Sequence, residues 1–331
     1  MLSKCARVAL VSAVSMTVCG SIRVATAQES ARTSSAATAS SYAPTVTASL
    51  PIFYDRALTE QGFSNPLVKA RIAGHEGTFI VDTGASANVL AKWYVEAAGI
   101  PSVSTDSSAI DLSGKAATER LAHGVQGHWS DGQRFSLNEA VVIAFPPYFE
   151  SLHLAGAVSP QLLAPAGMAA VLDLRTPSLH FMPFARALTD LRRSRAPMAP
   201  PDLSQPCRNA NTKLVNRVYL APVTSTGITE LMQIDTGATG TIFSERSRIA
   251  KAIESRSQVD KHLSEGVGGA VRERIIRGVR LLRGGRTVVV NPSIGKISPP
   301  CQATGNLGMD ALRNCTLILG DREMALSCAP E

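Results

Sequence analysis

Aromatic residues make up only 5% of the 331-residue chain, and no stripe of basic residues interleaved with them runs along it. The electrostatic and stacking surface of a nucleic-acid binder is therefore missing. The six histidines form no metal-ligand spacing and no Cys-x-x-Cys occurs, which argues against a zinc site. There is no Gly-x-Ser-x-Gly elbow for a serine hydrolase, and no Asp-x-Asp stands near the acidic motifs described below. Gly266-Val267-Gly268-Gly269 lacks the strand, helix and acidic residue of a nucleotide site.

The one apolar run near the start, residues 8–18, is too short to span a bilayer. It follows Lys4 and Arg7 and precedes Ala25-Thr26-Ala27, so residues 1–27 read as a secretory signal cleaved after Ala27, leaving no membrane anchor. Cleavage removes Lys4, Arg7 and Arg23 and no acid, lowering the formal charge from +7 to +4. That is a mildly basic, solvated surface. It also removes Cys5 and Cys19, leaving Cys207, Cys301, Cys315 and Cys328, which suit one or two disulfides in an oxidising compartment, periplasmic or extracellular. Spacing does not choose among the three pairings. Residues 28–44, mostly Ser, Ala and Thr, read as a flexible leader. Residues 192–207, dense in Pro and Arg, read as a linker between a first domain, 45–191, and a second, 208–331.

The two domains share a repeat. Phe79-Ile80-Val81 runs into Asp82-Thr83-Gly84-Ala85, and Leu231-Met232-Gln233-Ile234 runs into Asp235-Thr236-Gly237-Ala238. In each copy a short apolar strand delivers a carboxylate, a hydroxyl and a glycine at a sharp turn of the backbone. Each copy is preceded by another strand and turn, and is followed by an apolar pair, Val89-Leu90 or Ile242-Phe243, and a helix-like stretch. Further on, Gly124-Val125-Gln126-Gly127 matches Gly266-Val267-Gly268-Gly269, and the segment from Gly156 to Leu163 aligns without a gap to that from Gly305 to Leu312. A closing hairpin ends each domain. Asp173 and Asp310 fall in different motifs and read as structural.

These landmarks resemble an aspartic peptidase with two lobes, each lobe more like a retropepsin subunit than a pepsin lobe. The likeness rests on the Ala after each Asp-Thr-Gly, on the Gly-rich turn at 266–269 and on the closing segment 305–317 with Cys315-Thr316-Leu317. It implies an all-β fold with a few short helices, two pseudo-twofold-related lobes and a cleft between them, and it favours a bacterial source. It implies that Asp82 and Asp235 meet and share one proton, activating water to hydrolyse a peptide or protein substrate without metal or organic cofactor. A chain with both aspartates needs no dimer for catalysis.

The resemblance further implies that Thr83 and Thr236 hydrogen-bond across the two loops, and that Gly84 and Gly237 admit close backbone approach. The Gly-rich turns at Gly124, Val125, Gln126 and Gly127, and at Gly266, Val267, Gly268 and Gly269, would be flaps, with Trp129 a candidate flap aromatic. Pepsin-like relatives carry Ser or Thr where this chain has Ala85 and Ala238. Without that hydroxyl the carboxyls should titrate higher, extending activity into mildly acidic pH. The rival reading is a peptidase-fold protein that binds peptides or a partner in its cleft without turnover.

Overall fold

The computed structural model describes residues 17–19, 49–110, 116–194, 202–204, 207–208, 217–255, 259–266 and 269–329. The fold is mainly β with short helices, as an acid-protease fold requires. The leader 28–44 lies outside the described residues, as does the expected signal apart from Thr17–Cys19, which pairs with Val103–Ile110.

The repeat appears as two sheets of the same construction, one eight-stranded and one nine-stranded. In each, an antiparallel hairpin leads to the aspartate: Leu67–Ile72 with His75–Val81, and Leu220–Ser225 with Ile228–Ile234. Both hairpins turn through two residues of positive φ, Ala73-Gly74 and Thr226-Gly227, the geometry that matches strand twist in a tight hairpin. A later strand then enters between the aspartate strand and the strand after its loop. Leu154–Val158 runs parallel to His75–Val81 and antiparallel to Val89–Ala91. Gly305–Leu307 does the same between Ile228–Ile234 and Ile242–Ser244.

The register agrees residue for residue. Ala157 lies opposite Ile80 and Val89, while Asn306 lies opposite Gln233 and Ile242. Gly156 and Gly305 occupy the closest approach: a Cβ there would lie 2.0 Å from the Val89 carbonyl oxygen and 2.2 Å from that of Ile242. No other residue type fits.

The two closing hairpins join in a third, six-stranded sheet. Ala169–Asp173 pairs with Ser178–Met182 on one side and with Cys315–Leu319 on the other, and Cys315–Leu319 pairs with Met324–Cys328. Sequence positions from both halves of the chain thus share one hydrogen-bonded sheet. Its apolar face is covered by the helix Phe184–Ser194, whose Ala187 and Leu191 pack with Ala169, Ile318 and Ala325.

Two expectations need correction. The stretch 192–207 is not free of regular structure. Arg192 and Arg193 lie in the last turn of the helix Phe184–Ser194, where cations suit the exposed carbonyls. Asp202–Ser204 pairs with Met324–Cys328 as an edge strand, and an edge is where a neighbouring proline is tolerated. The prolines at 197, 200, 201 and 206 lie outside the described residues.

The second correction concerns the Gly-rich match. Gly124, Val125, Gln126 and Gly127 form no turn; they lie inside the strand Ala116–Trp129. The strand pairings place Leu121 opposite Val141 and Ile275 opposite Ser293, with Val141 and Ser293 in turn opposite Val89 and Ile242. Counting from there, Gly124 corresponds to Gly278, and both have positive φ, 61° and 67°. The partner of the hairpin Val259–Gly266 with Gly269–Ile276 is Val103–Ile110 with the first half of Ala116–Trp129. Its tip, 111–115, lies outside the described residues, as do Val267 and Gly268. Trp129 is not a flap aromatic: it is buried and stacks on Phe135 with ring centroids 4.1 Å apart.

Cys315 and Cys328, directly opposed in the shared sheet, form a disulfide, and Cys301 is also disulfide-bonded. The side chain of Cys207 lies outside the described residues. No helix among the described residues is long and apolar enough to cross a membrane. The Cys315–Cys328 bridge closes a short loop in the sheet that joins the two halves. Replacing both residues with Ala is expected to lower unfolding free energy by about 2–4 kcal/mol in denaturant melts, and an unchanged midpoint would remove the bridge from the account.

Candidate active site

Each aspartate sits one residue past the end of its strand, where the entering strand still holds its backbone. Asp82 N donates to Val158 O at 2.9 Å, and Asp235 N donates to Leu307 O at 3.1 Å. The loop then folds back over its own carboxylate. Gly84 N and Ala85 N donate to Asp82 Oδ1 at 2.7 and 3.1 Å, and Ala238 N donates to Asp235 Oδ1 at 3.0 Å. Backbone amides thereby fix one oxygen of each carboxyl.

The threonines tie the two loops together. Thr83 N donates to Thr236 Oγ1 at 3.0 Å, and Thr236 N donates to Thr83 Oγ1 at 3.1 Å. Each hydroxyl in turn donates to the carbonyl just ahead of the other aspartate, Thr83 Oγ1 to Ile234 O at 2.9 Å and Thr236 Oγ1 to Val81 O at 2.5 Å. All four groups are buried, so none can exchange its partner for water without cost.

The glycines let the loops close on each other. A Cβ on Gly84 would lie 2.7 Å from Asp235 Cγ, and one on Gly237 would lie 2.4 Å from Asp82 Cγ. Each glycine therefore makes room for the carboxyl of the opposite loop, not only for amides of its own. Asp82 and Asp235 are both 0% exposed, and each carboxyl packs against the glycine of the opposite loop. Two acids brought together out of water oppose each other's ionisation. Asp82 Oδ2 receives no N–H or O–H donor, consistent with Ala, not Ser or Thr, at positions 85 and 238.

Both carboxyls titrate above the ordinary carboxylate range. For Asp82 the main cause is burial, followed by the charge on Asp235; for Asp235 burial again leads, opposed next by the Asn306 amide. Lost hydration disfavours the charged form, and a neighbouring like charge disfavours it further.

Several supporting residues carry no sequence signal of their own. Asn65 Nδ2 donates to Thr236 O at 2.8 Å and Thr239 Oγ1 donates to Asn65 Oδ1 at 2.8 Å, linking the two halves beside the loops. Gln161 Nε2 reaches Thr83 O and Ala85 O, both at 3.2 Å, and Ser159 Oγ donates to Ala85 O at 2.9 Å. Gln233 Nε2 reaches Gly84 O across the boundary at 3.1 Å. Asn306 Nδ2 donates to Asp235 Oδ2. A signal existed for the last two: Gln233 and Asn306 stand where the first copy has Ile80 and Ala157. Asp310 is held behind the loop by Thr241 Oγ1 at 2.7 Å. Among the described residues no group of three or more His, Cys, Asp or Glu stands together as a metal set.

Residues 68–146 match the family model described as aspartyl protease. The match contains the first aspartate loop and supports an aspartyl protease family of the pepsin and retropepsin type, hence a proteolytic function in general. No curated protein matches the chain.

Two outcomes follow from this geometry. A carboxyl whose folded value is raised makes the native state bind more protons than the unfolded one, so its stability contribution falls as pH rises from the unfolded towards the folded value. Asp82→Asn removes that penalty. Its melting temperature is expected to exceed that of the parent chain, by a margin that grows from acidic to neutral pH; a margin that shrinks over that range would contradict the raised titration. Gly237→Ala forces a methyl against Asp82 and should cost about 1–3 kcal/mol in denaturant melts, whereas Gly295→Ala, whose methyl would meet nothing closer than 3.4 Å, brings no such clash.

Proposed function

We propose that this chain is an exported, single-chain aspartic endopeptidase whose two lobes, 45–191 and 208–331, each supply one catalytic aspartate. The observation that carries the reading is the burial of the Asp82 and Asp235 carboxyls, each against the glycine of the opposite loop, at the base of two interlocked Asp-Thr-Gly loops. In the active form the pair holds one proton. The ionised carboxylate takes a proton from water as its oxygen attacks the scissile carbonyl carbon, and the protonated partner gives its proton to the carbonyl oxygen. Collapse of the resulting diol breaks the carbon–nitrogen bond. The amine leaves with the proton first taken from water, and a diol hydroxyl returns a proton to the partner.

Thr83, Gly84, Ala85, Thr236, Gly237 and Ala238 hold the two carboxyls in place during this cycle. The substrate is a peptide or protein. The hairpin Val259–Gly266 with Gly269–Ile276 and its counterpart built on Val103–Ile110 are the elements that would open and close over it. The disulfides fit an oxidising compartment and hence removal of the signal after Ala27.

A second reading, a cleft that binds peptides without turnover, is favoured by one observation: neither carboxyl is exposed to solvent. One experiment separates them. A mixed peptide library is incubated with the mature protein across about pH 3 to 7, alongside Asp82→Asn and Asp235→Asn. Cleavage by the parent chain and a loss of about 10³-fold or more in kcat/KM for both variants supports the peptidase. Unchanged activity in either variant refutes the mechanism, and peptide binding without cleavage by the folded parent chain selects the second reading. Because both carboxyls titrate high, the bell-shaped profile is expected to centre in mildly acidic pH, since activity falls when both are protonated and again when both ionise.

A further inference from the structure

The two halves of the site are not chemically equivalent. Strand register makes Asn306 the counterpart of Ala157 and Gln233 the counterpart of Ile80. In the Asp82 half, therefore, these two strand positions offer only hydrocarbon. Around Asp235 they offer two buried primary amides, one of which, Asn306 Nδ2, donates to Asp235 Oδ2. The other, Gln233, donates to Gly84 O. The backbone amides do not reverse this bias, since Gly84 and Ala85 act on Asp82 as Gly237 and Ala238 act on Asp235.

We propose that Asn306 is a positioning residue that makes Asp235 the proton-accepting member of the pair and leaves the shared proton on Asp82. A neutral amide N–H can donate to an ionised oxygen and cannot accept from a protonated one, so it favours the charge on whichever carboxyl it touches. In a site closed to water that preference is not diluted by solvent. The direction of the titrations agrees: Asp82 is raised well above the ordinary range, with Asp235 as its second cause, while the Asn306 amide is the leading influence that lowers Asp235. The loops 82–88, 236–241 and 305–308 carry no charged side chain besides the pair itself. Asp310, the next acid on the helix Met309–Leu312, is turned onto Thr241 and is itself raised by burial. For catalysis, resting on the peptidase reading, Asp235 then takes the proton from water and Asp82 protonates the carbonyl oxygen.

Turnover is not needed to test this. Aspartate carboxyls are labelled with carbon-13 and titrated by NMR in two backgrounds that remove the coupling, Asp82→Asn to isolate Asp235 and Asp235→Asn to isolate Asp82. Asn306→Leu, similar in volume but without a donor, is added to each. The expected result is an upward shift of about one pH unit at Asp235, a tenfold change in its acid constant, and a much smaller shift at Asp82. No shift at Asp235, or equal shifts at both, overturns the proposal. Should the Leu variant fail to fold, Asn306→Ala gives the position the residue its counterpart Ala157 already has, and the same two outcomes decide. In the otherwise unaltered chain, Asn306→Leu should move the acidic limb of kcat/KM upward by the same amount; an unmoved limb overturns the proposal. A chain whose carboxyls titrate as expected but which cleaves no peptide supports the inference and refutes the peptidase reading alone.

Discussion

The exchange of hydrogen bonds between Thr83 and Thr236 is the constraint on which the rest of the site depends. Each threonine gives its hydroxyl proton to the carbonyl ahead of the opposite aspartate and receives the backbone amide of its opposite number. Four buried polar groups are satisfied only if the two loops stand in one relative position. That position brings two carboxyls together against their own repulsion, and burial raises the titration of both. The glycines follow from the same demand, since at each a single methyl would strike the other carboxyl. The shared six-stranded sheet and its Cys315–Cys328 bridge hold the two halves to that geometry from the opposite side.

Near-symmetry of the backbone does not make the site symmetric in chemistry. The same crossing of strands carries Ala157 in one half at the position where Asn306, in the other, touches a carboxyl. Two acids of one residue type can then take different parts in one reaction, the difference coming from a neighbour and not from the acids themselves. Asn65 and Gln233 extend the asymmetry, each reaching across the boundary in a way the opposite half does not repeat among the contacts described.

What could be read in the sequence was whatever repeats with a fixed offset. The strand, the Asp-Thr-Gly-Ala loop, the apolar pair and the segment from Gly305 to Leu312 recur because the strand crossing permits no insertion, as Gly156 and Gly305 attest. The hairpins beyond them vary in length, and there a likeness of composition misled: Gly124 to Gly127 resemble Gly266 to Gly269 in letters, yet Gly124 answers to Gly278 in strand position and in φ. The shared sheet was half visible. Both closing hairpins show in the alternation of apolar residues, but their pairing with each other is a contact between residues far apart in sequence, and Asp202–Ser204 joins it from a stretch whose prolines suggested only a linker. Asn306 was aligned opposite Ala157 from the start; only the geometry reveals that it touches a carboxyl.

The most direct test of the central constraint is a double-mutant cycle between the two threonines, read as unfolding free energy by denaturant melts of the parent chain, Thr83→Val, Thr236→Val and the double variant. Each single change leaves a buried amide and a buried carbonyl without partners, at a cost of about 2 kcal/mol or more. Once either lock is broken the loops are free to part, so the double variant should cost less than the sum of the singles by at least about 0.5 kcal/mol. Strictly additive costs would mean that the two threonines act independently, and would contradict the account of a single interlocked site.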